Sequence, residues 1–239
     1  MSERIPDGWA VSNFSDICFF QEGPGLRRWQ YRETGFPFLN IRCIKEGQLD
    51  LSQVQYISND EAYSKYKHFF LEAGDIVLSS SGTLGRLAKV QLYNLPLMLN
   101  TSVIRFKPAD ERKLSSDFLY HYLQSGEFQD QISEESQGSA QANFGPTHLK
   151  RVTCSLPPPP EQQKIASILI SVDEVIEKTE AQIHKLQDLK KGMMQELLTK
   201  GIGHTEFKDS SVGRIPREWD VGKLGDFIEL LSDYHANGS

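Results

Sequence analysis

Between Pro160 and Lys200 no proline interrupts the chain, and the stretch is closed in front by the tetraproline Pro157–Pro160 and behind by Gly201. Proline fits the first turn of a helix but not its interior, and glycine is a natural stop after the last turn. A helix of that length measures about 60 Å. Along it Ile165, Leu169, Val172, Ile176, Thr179, Ile183, Leu186, Lys190, Met193 and Leu197 alternate steps of four and three, and only Thr179 and Lys190 are polar. That is the narrow seam of a coiled coil rather than a broad core-facing stripe. Ile165, Leu169, Val172, Ile176, Ile183, Leu186, Met193 and Leu197 are therefore the expected helix-pairing positions. A helix laid across its own domain is the alternative, but such a helix needs a wider apolar face and no length beyond the domain. The rod calls for a partner helix, and antiparallel pairing with a second copy is expected.

The residues before it read as an α+β domain, so the fold class is a mixed α/β domain followed by a long coiled-coil helix, partitioned as 1–156, 157–200 and 201–239. Phe36–Ile44 and Val54–Ser58 are rich in β-branched and aromatic residues and predict strands. Ser58 followed by Glu61 has capping-box spacing and predicts a short helix. "GDIVLSSSGTLGRLAKVQL" reads as strand, turn, strand, and "LMLNTSVIRFKP" as a strand stopped by Pro108. Phe118, Leu119, Tyr122 and Leu123 sit at helical spacing behind a serine cap.

After the rod the chain repeats itself. "RIPREWDVGKLGDF", from Arg214, matches "RIPDGWAVSNFSDI", from Arg4, at Arg, Ile, Pro, Trp, Val and Asp in register. The offset suits a tandem of whole domains, and the second copy is too short for a core of its own. One complete unit and the start of another are expected. No segment is apolar enough to span a bilayer. Three dispersed cysteines, Cys18, Cys43 and Cys154, fit a reducing, cytoplasmic setting. A net charge of -6 disfavours indiscriminate polyanion binding but permits a local basic face.

"GPGLRRWQYR" is that face: Arg27, Arg28, Trp29, Gln30, Tyr31 and Arg32 follow a Gly-Pro-Gly turn, and Gln21–Lys45 holds five basic residues against two acidic ones. Cations grip phosphates, and fork-shaped or amide side chains read base edges. An ordinary solvated loop with Trp29 packed inward is the plainer account. Ser79, Ser81, Thr83 and Arg86 on the turn "SSSGTLGR" could hold a phosphate or merely close a hairpin. Gln137, Gln141 and Asn143 could read adenine edges or lie in a surface loop. Asn40 and Arg42 would share a strand face, which solvent alone could explain. No histidine or cysteine spacing supports a metal site, and no cofactor-binding loop or adenine-methyltransferase tetrapeptide occurs. The charged turn Asp110–Lys113 is the nearest approach to nuclease carboxylates, and a solvated turn explains it better.

"LPPPPEQQKIASIL" resembles the junction in specificity (S) subunits of type I restriction–modification enzymes, where a target recognition domain gives way to a spacer helix. "GPGLRRWQYRETGFPFLNIRCIKEGQLDL", "GDIVLSSSGTLGR" and "LLTKGIGHTEFKDSSVGRIPREW" resemble further segments of that family. The resemblance implies a non-catalytic subunit reading one half of a bipartite target in double-stranded DNA, with recognition loops in the major groove. It implies modification (methyltransferase) subunits docked on the long helix and a motor nuclease (restriction) subunit bound indirectly. It leaves this chain without a cofactor, S-adenosylmethionine, ATP and Mg belonging to partner subunits. Full-length members carry two readers and two helices, so this chain would need a second copy or another chain. A coiled-coil adaptor without DNA specificity, or a fragment of a DNA-modifying enzyme, are the alternatives.

Overall fold

The computed structural model describes residues 5–45, 47–81, 85–136, 144–226 and 228. Two compact units, Met1–Ser171 and Val172–Ser239, divide the chain inside its longest helix. The first unit opens with β1 (Ala10–Asn13), α1 (Phe14–Ile17) and β2 (Cys18–Glu22). Then come β3 (Tyr31–Arg32), β4 (Phe36–Phe38), β5 (Gln55–Ile57), α2 (Asn59–Lys65), β6 (Ile76–Ser79), β7 (Leu87–Lys89) and β8 (Val103–Pro108). α3 (Ser116–Tyr122), α4 (Gly126–Ser136), α5 (Pro146–Leu149) and β9 (Thr153–Leu156) precede α6 (Pro159–Lys200). The main sheet runs β2-β8-β6-β7, all antiparallel, beside a small β3-β5-β4 sheet and the pair β1-β9. This is the mixed α+β domain followed by a long helix that the patterning predicts.

Phe14 organises the first core. It is fully buried, and the rings of Phe20, Phe106, Tyr122 and Phe128 lie 5.5–6.2 Å from its own. The second core, including Leu39, Val77, Leu99 and Val103, and the third, including Phe36, Phe38, Ile57 and Met98, bury the remaining sheet surface. Ser58 Oγ accepts the Glu61 N–H at 3.2 Å and starts α2, as its spacing predicts. The helical spacing around Phe118 is α3, capped by Ser115 as expected, and α4 begins anew after it, where Ser125 Oγ bonds back to the Tyr122 carbonyl and accepts the Phe128 N–H.

The predicted strand Phe36–Ile44 ends at Phe38. Asn40 turns the chain instead: its Oδ1 accepts the Arg42 N–H at 2.9 Å, and its Nδ2 donates to the Gln53 carbonyl at 3.1 Å. A side chain that bonds its local backbone competes with a sheet ladder, so Asn40 and Arg42 share no strand face.

α6 is anchored by its first turn. Gln162, fully buried, accepts the Ser115 N–H at 2.9 Å and donates to the carbonyls of Lys113 and Pro157. Ile165, expected at the pairing seam, packs against the first core, so its own domain claims that position. Beyond it the seam is open to solvent, from Leu169 at 39% through Leu186 at 63% to Leu197 at 42%. Gly201, at φ +67°, ends the helix in a conformation that glycine adopts freely.

In the second unit β10 (Phe207–Ser210) and β11 (Gly213–Pro216) form a hairpin. The sequence repeat has a structural counterpart: the Trp9 N–H donates to the Pro6 carbonyl at 3.1 Å, and the Trp219 N–H to the Pro216 carbonyl at 3.0 Å. Leu224, in register with the buried Phe14, is 68% exposed, because nothing packs on it among the described residues.

Arg105 ties the main sheet together from inside. Its guanidinium donates to Asp75 at 3.2 Å, to the Phe70 carbonyl at 2.7 Å and to Gln21, with Arg105 and Asp75 both almost fully buried. Asp75→Ala leaves that cation uncompensated and is expected to cost about 3–5 kcal/mol. Replacing Asp117, which pairs with Lys89 on the surface, should cost at most about 1 kcal/mol. Denaturant midpoints at constant slope measure both. All three cysteines are free and buried. Burial raises each thiol, Cys154 to about 12, so all stay protonated at pH 8. Alkylation of the native chain at that pH should therefore wait on unfolding.

Candidate nucleic-acid interface

Arg27 to Arg32 form a short turn with its working side chains outward. Residues Arg28–Gln30 make one turn of 3-10 helix, and β3 ties the exit to β5 through Tyr31↔Ile57 and Arg32↔Tyr56. Arg27, Arg28 and Arg32 are exposed, and no described carboxylate forms an ion pair with them. Trp29 is 73% exposed rather than packed inward. In a chain of net charge -6, three exposed arginines next to an exposed indole in sequence give the turn chemistry that can hold phosphates and stack on a flat ring.

Gln30 does not belong to that outward set. It is buried, its Oε1 accepts the Arg27 N–H at 2.8 Å, and its Nε2 donates to Glu61 at 2.7 Å and to the Tyr66 hydroxyl at 3.1 Å. Both polar atoms of the amide are engaged, the oxygen within its own turn and the nitrogen on Glu61 of α2 and on Tyr66, so the side chain points inward rather than at a base edge. Tyr31 is half-buried, its ring 5.0 Å from that of Phe38 in the third core. Arg32 remains exposed but also clamps the turn, one nitrogen donating to the carbonyls of Trp29 at 3.0 Å and Tyr31 at 2.9 Å. Beside it lies an open cleft of about 600 Å³ lined by Arg32, Thr34, Gly35, Ser58, Asn59 and Asp60. Gly35 sits at φ +142°, where a Cβ would meet the Ile57 carbonyl at 2.1 Å, so the floor of this cleft admits no side chain.

The other expected contact groups are not gathered here. Ser79 is fully buried; its Oγ accepts the Arg86 N–H at 3.1 Å and its own N–H donates to the Arg86 carbonyl at 2.9 Å. It closes the β6–β7 hairpin, and a phosphate cannot reach it. Ser81 and Arg86 are half-buried at the same turn. Thr83, Gln137, Gln141 and Asn143 lie outside the described residues. Near Asp110, Arg112 donates from two nitrogens at 2.9 Å and holds the carboxyl down at about 2, so this turn is a neutralised surface pair. Among the described residues no cluster of histidine, cysteine or carboxylate side chains could hold a metal ion. No helix is long and apolar enough to cross a membrane among them.

Reading side-chain chemistry alone misses two features. The cleft wall Thr34–Gly35 and Ser58–Asp60 comes together only when β3 and β5 pair. Leu92 and Tyr93, 76% and 81% exposed, form an apolar surface turn outside this site that carries no charge signal.

Comparison with known proteins completes the picture. Residues 6–188 match the family model for the type I restriction modification DNA specificity domain. A Methanocaldococcus jannaschii protein with a provisional MjaX type I restriction enzyme specificity subunit name is 30% identical over 93% of this chain and 53% of its own length. The MjaVIII specificity subunit of the same organism is 28% identical over 96% of this chain and 51% of its own length. The chain thus spans about half the length of the curated relatives it matches. Among solved structures, the HsdS subunit from Thermoanaerobacter tengcongensis shares the fold at TM-score 0.55 and 20% identity, over 82% of this chain and 46% of that one. A chain from a type I R-M system does so at TM-score 0.60 and 18% identity, over 82% and 47%. With most of its residues matched by one model, the chain belongs to the type I restriction modification DNA specificity family.

Proposed function

We propose that this chain is a non-catalytic DNA-recognition subunit that reads one half of a bipartite target. The observation that carries the reading is the hydrogen-bonded turn at Arg27–Arg32, with exposed arginines that no described carboxylate pairs, inside the stretch matched by the DNA specificity family. Residues 1–156 serve as the reader, 157–200 as the spacer and 201–239 as the opening of a second reader. Methylation and cleavage belong to partner subunits, which supply S-adenosylmethionine, ATP and Mg; methyltransferase subunits dock on α6 and the motor nuclease joins through the assembly. The setting is the cytoplasm, where its three thiols stay reduced.

A second copy of this chain, paired through α6, would supply a second reader. Charge along α6 supports antiparallel pairing: Pro159–Ala181 carries five carboxylates against two lysines, and Gln182–Lys200 four lysines against two carboxylates. Antiparallel copies set each acidic half on a basic half, and parallel copies set like on like. A two-fold pair of identical readers fits a palindromic split site.

Selection of duplexes from a random pool by the chain, reconstituted with methyltransferase subunits, tests the reading. A bipartite consensus is expected; bound pools without sequence preference would leave a coiled-coil adaptor, the reading that the exposed seam alone favours. Neutralised phosphates set the salt dependence of affinity at about 0.9 per contact on logarithmic axes. Replacing Arg27, Arg28 and Arg32 with Ala should flatten that slope by about one to three, and an unchanged slope removes this turn from the interface.

A further inference from the structure

Two turns of this domain are built alike and differ in one respect. At Arg28–Gln30 the buried Gln30 accepts the Arg27 N–H at 2.8 Å, and at Leu92–Asn94 the buried Asn94 accepts the Gln91 N–H at 2.8 Å. Each is a single 3-10 turn closed by an inward amide, and each exposes an aromatic ring at its centre, Trp29 at 73% and Tyr93 at 81%. Only the first carries cations, Arg27 and Arg28 preceding the ring. Its frame is also held twice more, by Gln30 on Glu61 and Tyr66 and by Arg32 on the Trp29 carbonyl. A backbone fixed on both sides of an exposed indole has little entropy left to lose when that ring is covered.

We infer that Trp29 is a stacking wedge: its indole covers the face of a base opened at a kinked step of the bound DNA, Arg27 and Arg28 hold the flanking phosphates, and Gln30 is the positioning residue that fixes the ring. The inference rests on the DNA-recognition reading and adds to it a division of labour. A base face is flat and apolar, so stacking supplies affinity that does not depend on counterion release, whereas the arginines supply affinity that does. Salt dependence therefore separates the two.

The test measures affinity of the full chain for a duplex pool across a salt series, using Trp29→Ala, Trp29→Tyr, Gln30→Met and Tyr93→Ala. Trp29→Ala should lower affinity about tenfold at every salt concentration with an unchanged slope, the scale of one lost stacking contact. Trp29→Tyr should recover most of the loss, since it restores a ring. Gln30→Met, which keeps the volume but none of the bonds, should lower affinity with the slope unchanged and increase the mobility of Trp29 fluorescence. Tyr93→Ala, on the matching turn without cations, should stay within twofold of the parent. A Trp29→Ala affinity within twofold of the parent, a flattened slope in that variant, or an equal loss in Tyr93→Ala overturns the wedge. Failure of the parent chain to bind any duplex overturns the DNA-recognition reading and the wedge together, whereas duplex binding indifferent to Trp29 overturns the wedge alone.

Discussion

Water in contact with the apolar seam of α6 is the constraint on which the rest of this molecule depends. Gln162 and Ala166 bury the first turns of the helix, and Ile165 leans on the first core. From Leu169 onward seven seam side chains stand about half exposed. Completing the burial of each is worth about 1 kcal/mol or more, so the exposed seam represents an association energy on the order of several kcal/mol. A second helix is the only element that fits a seam one side chain wide. Acidic residues gather in the first half of α6 and lysines in the second, so charge favours an antiparallel over a parallel neighbour.

The reader shows the same economy of means at smaller scale. Gln30 commits its amide to the backbone of its own turn, to Glu61 of α2 and to Tyr66, and Arg27, Arg28 and Trp29 face outward on the turn these bonds hold. Deeper in, the Arg105–Asp75 pair fastens strand β8 to the chain entering β6. Specificity that rests on placing a few side chains against base edges needs such rigidity, because a loosely held contact distinguishes poorly between neighbouring bases.

The rod, its boundaries and the α+β character of the domain were legible because each is written in local chemistry: prolines, glycine, a repeating seam and serine caps. Ser58 and Ser115 announce α2 and α3 by spacing alone. The site was half legible. The arginines and Trp29 stand out by composition, but Gln30 belongs to the interior only because α2 brings Glu61 and Tyr66 beside it, across more than thirty residues of chain. Ser79 likewise became a hairpin latch once β6 and β7 paired. Asn40 misled for a different reason: flanking apolar residues imitate a strand, and a side-chain bond to Arg42 decides otherwise. The tandem repeat was visible from the first, and its meaning lies in the contrast between a buried Phe14 and an exposed Leu224 at matching positions.

The central claim, that α6 is completed by an antiparallel second copy, can be measured as a distance between spin labels placed at Ser171 of the full chain. Antiparallel pairing about the middle of the seam puts the two labels roughly 30–35 Å apart at the 1.5 Å rise of a helix. A label separation near 10 Å, the spacing of parallel neighbours, or no dipolar coupling at tens of micromolar chain, would contradict it.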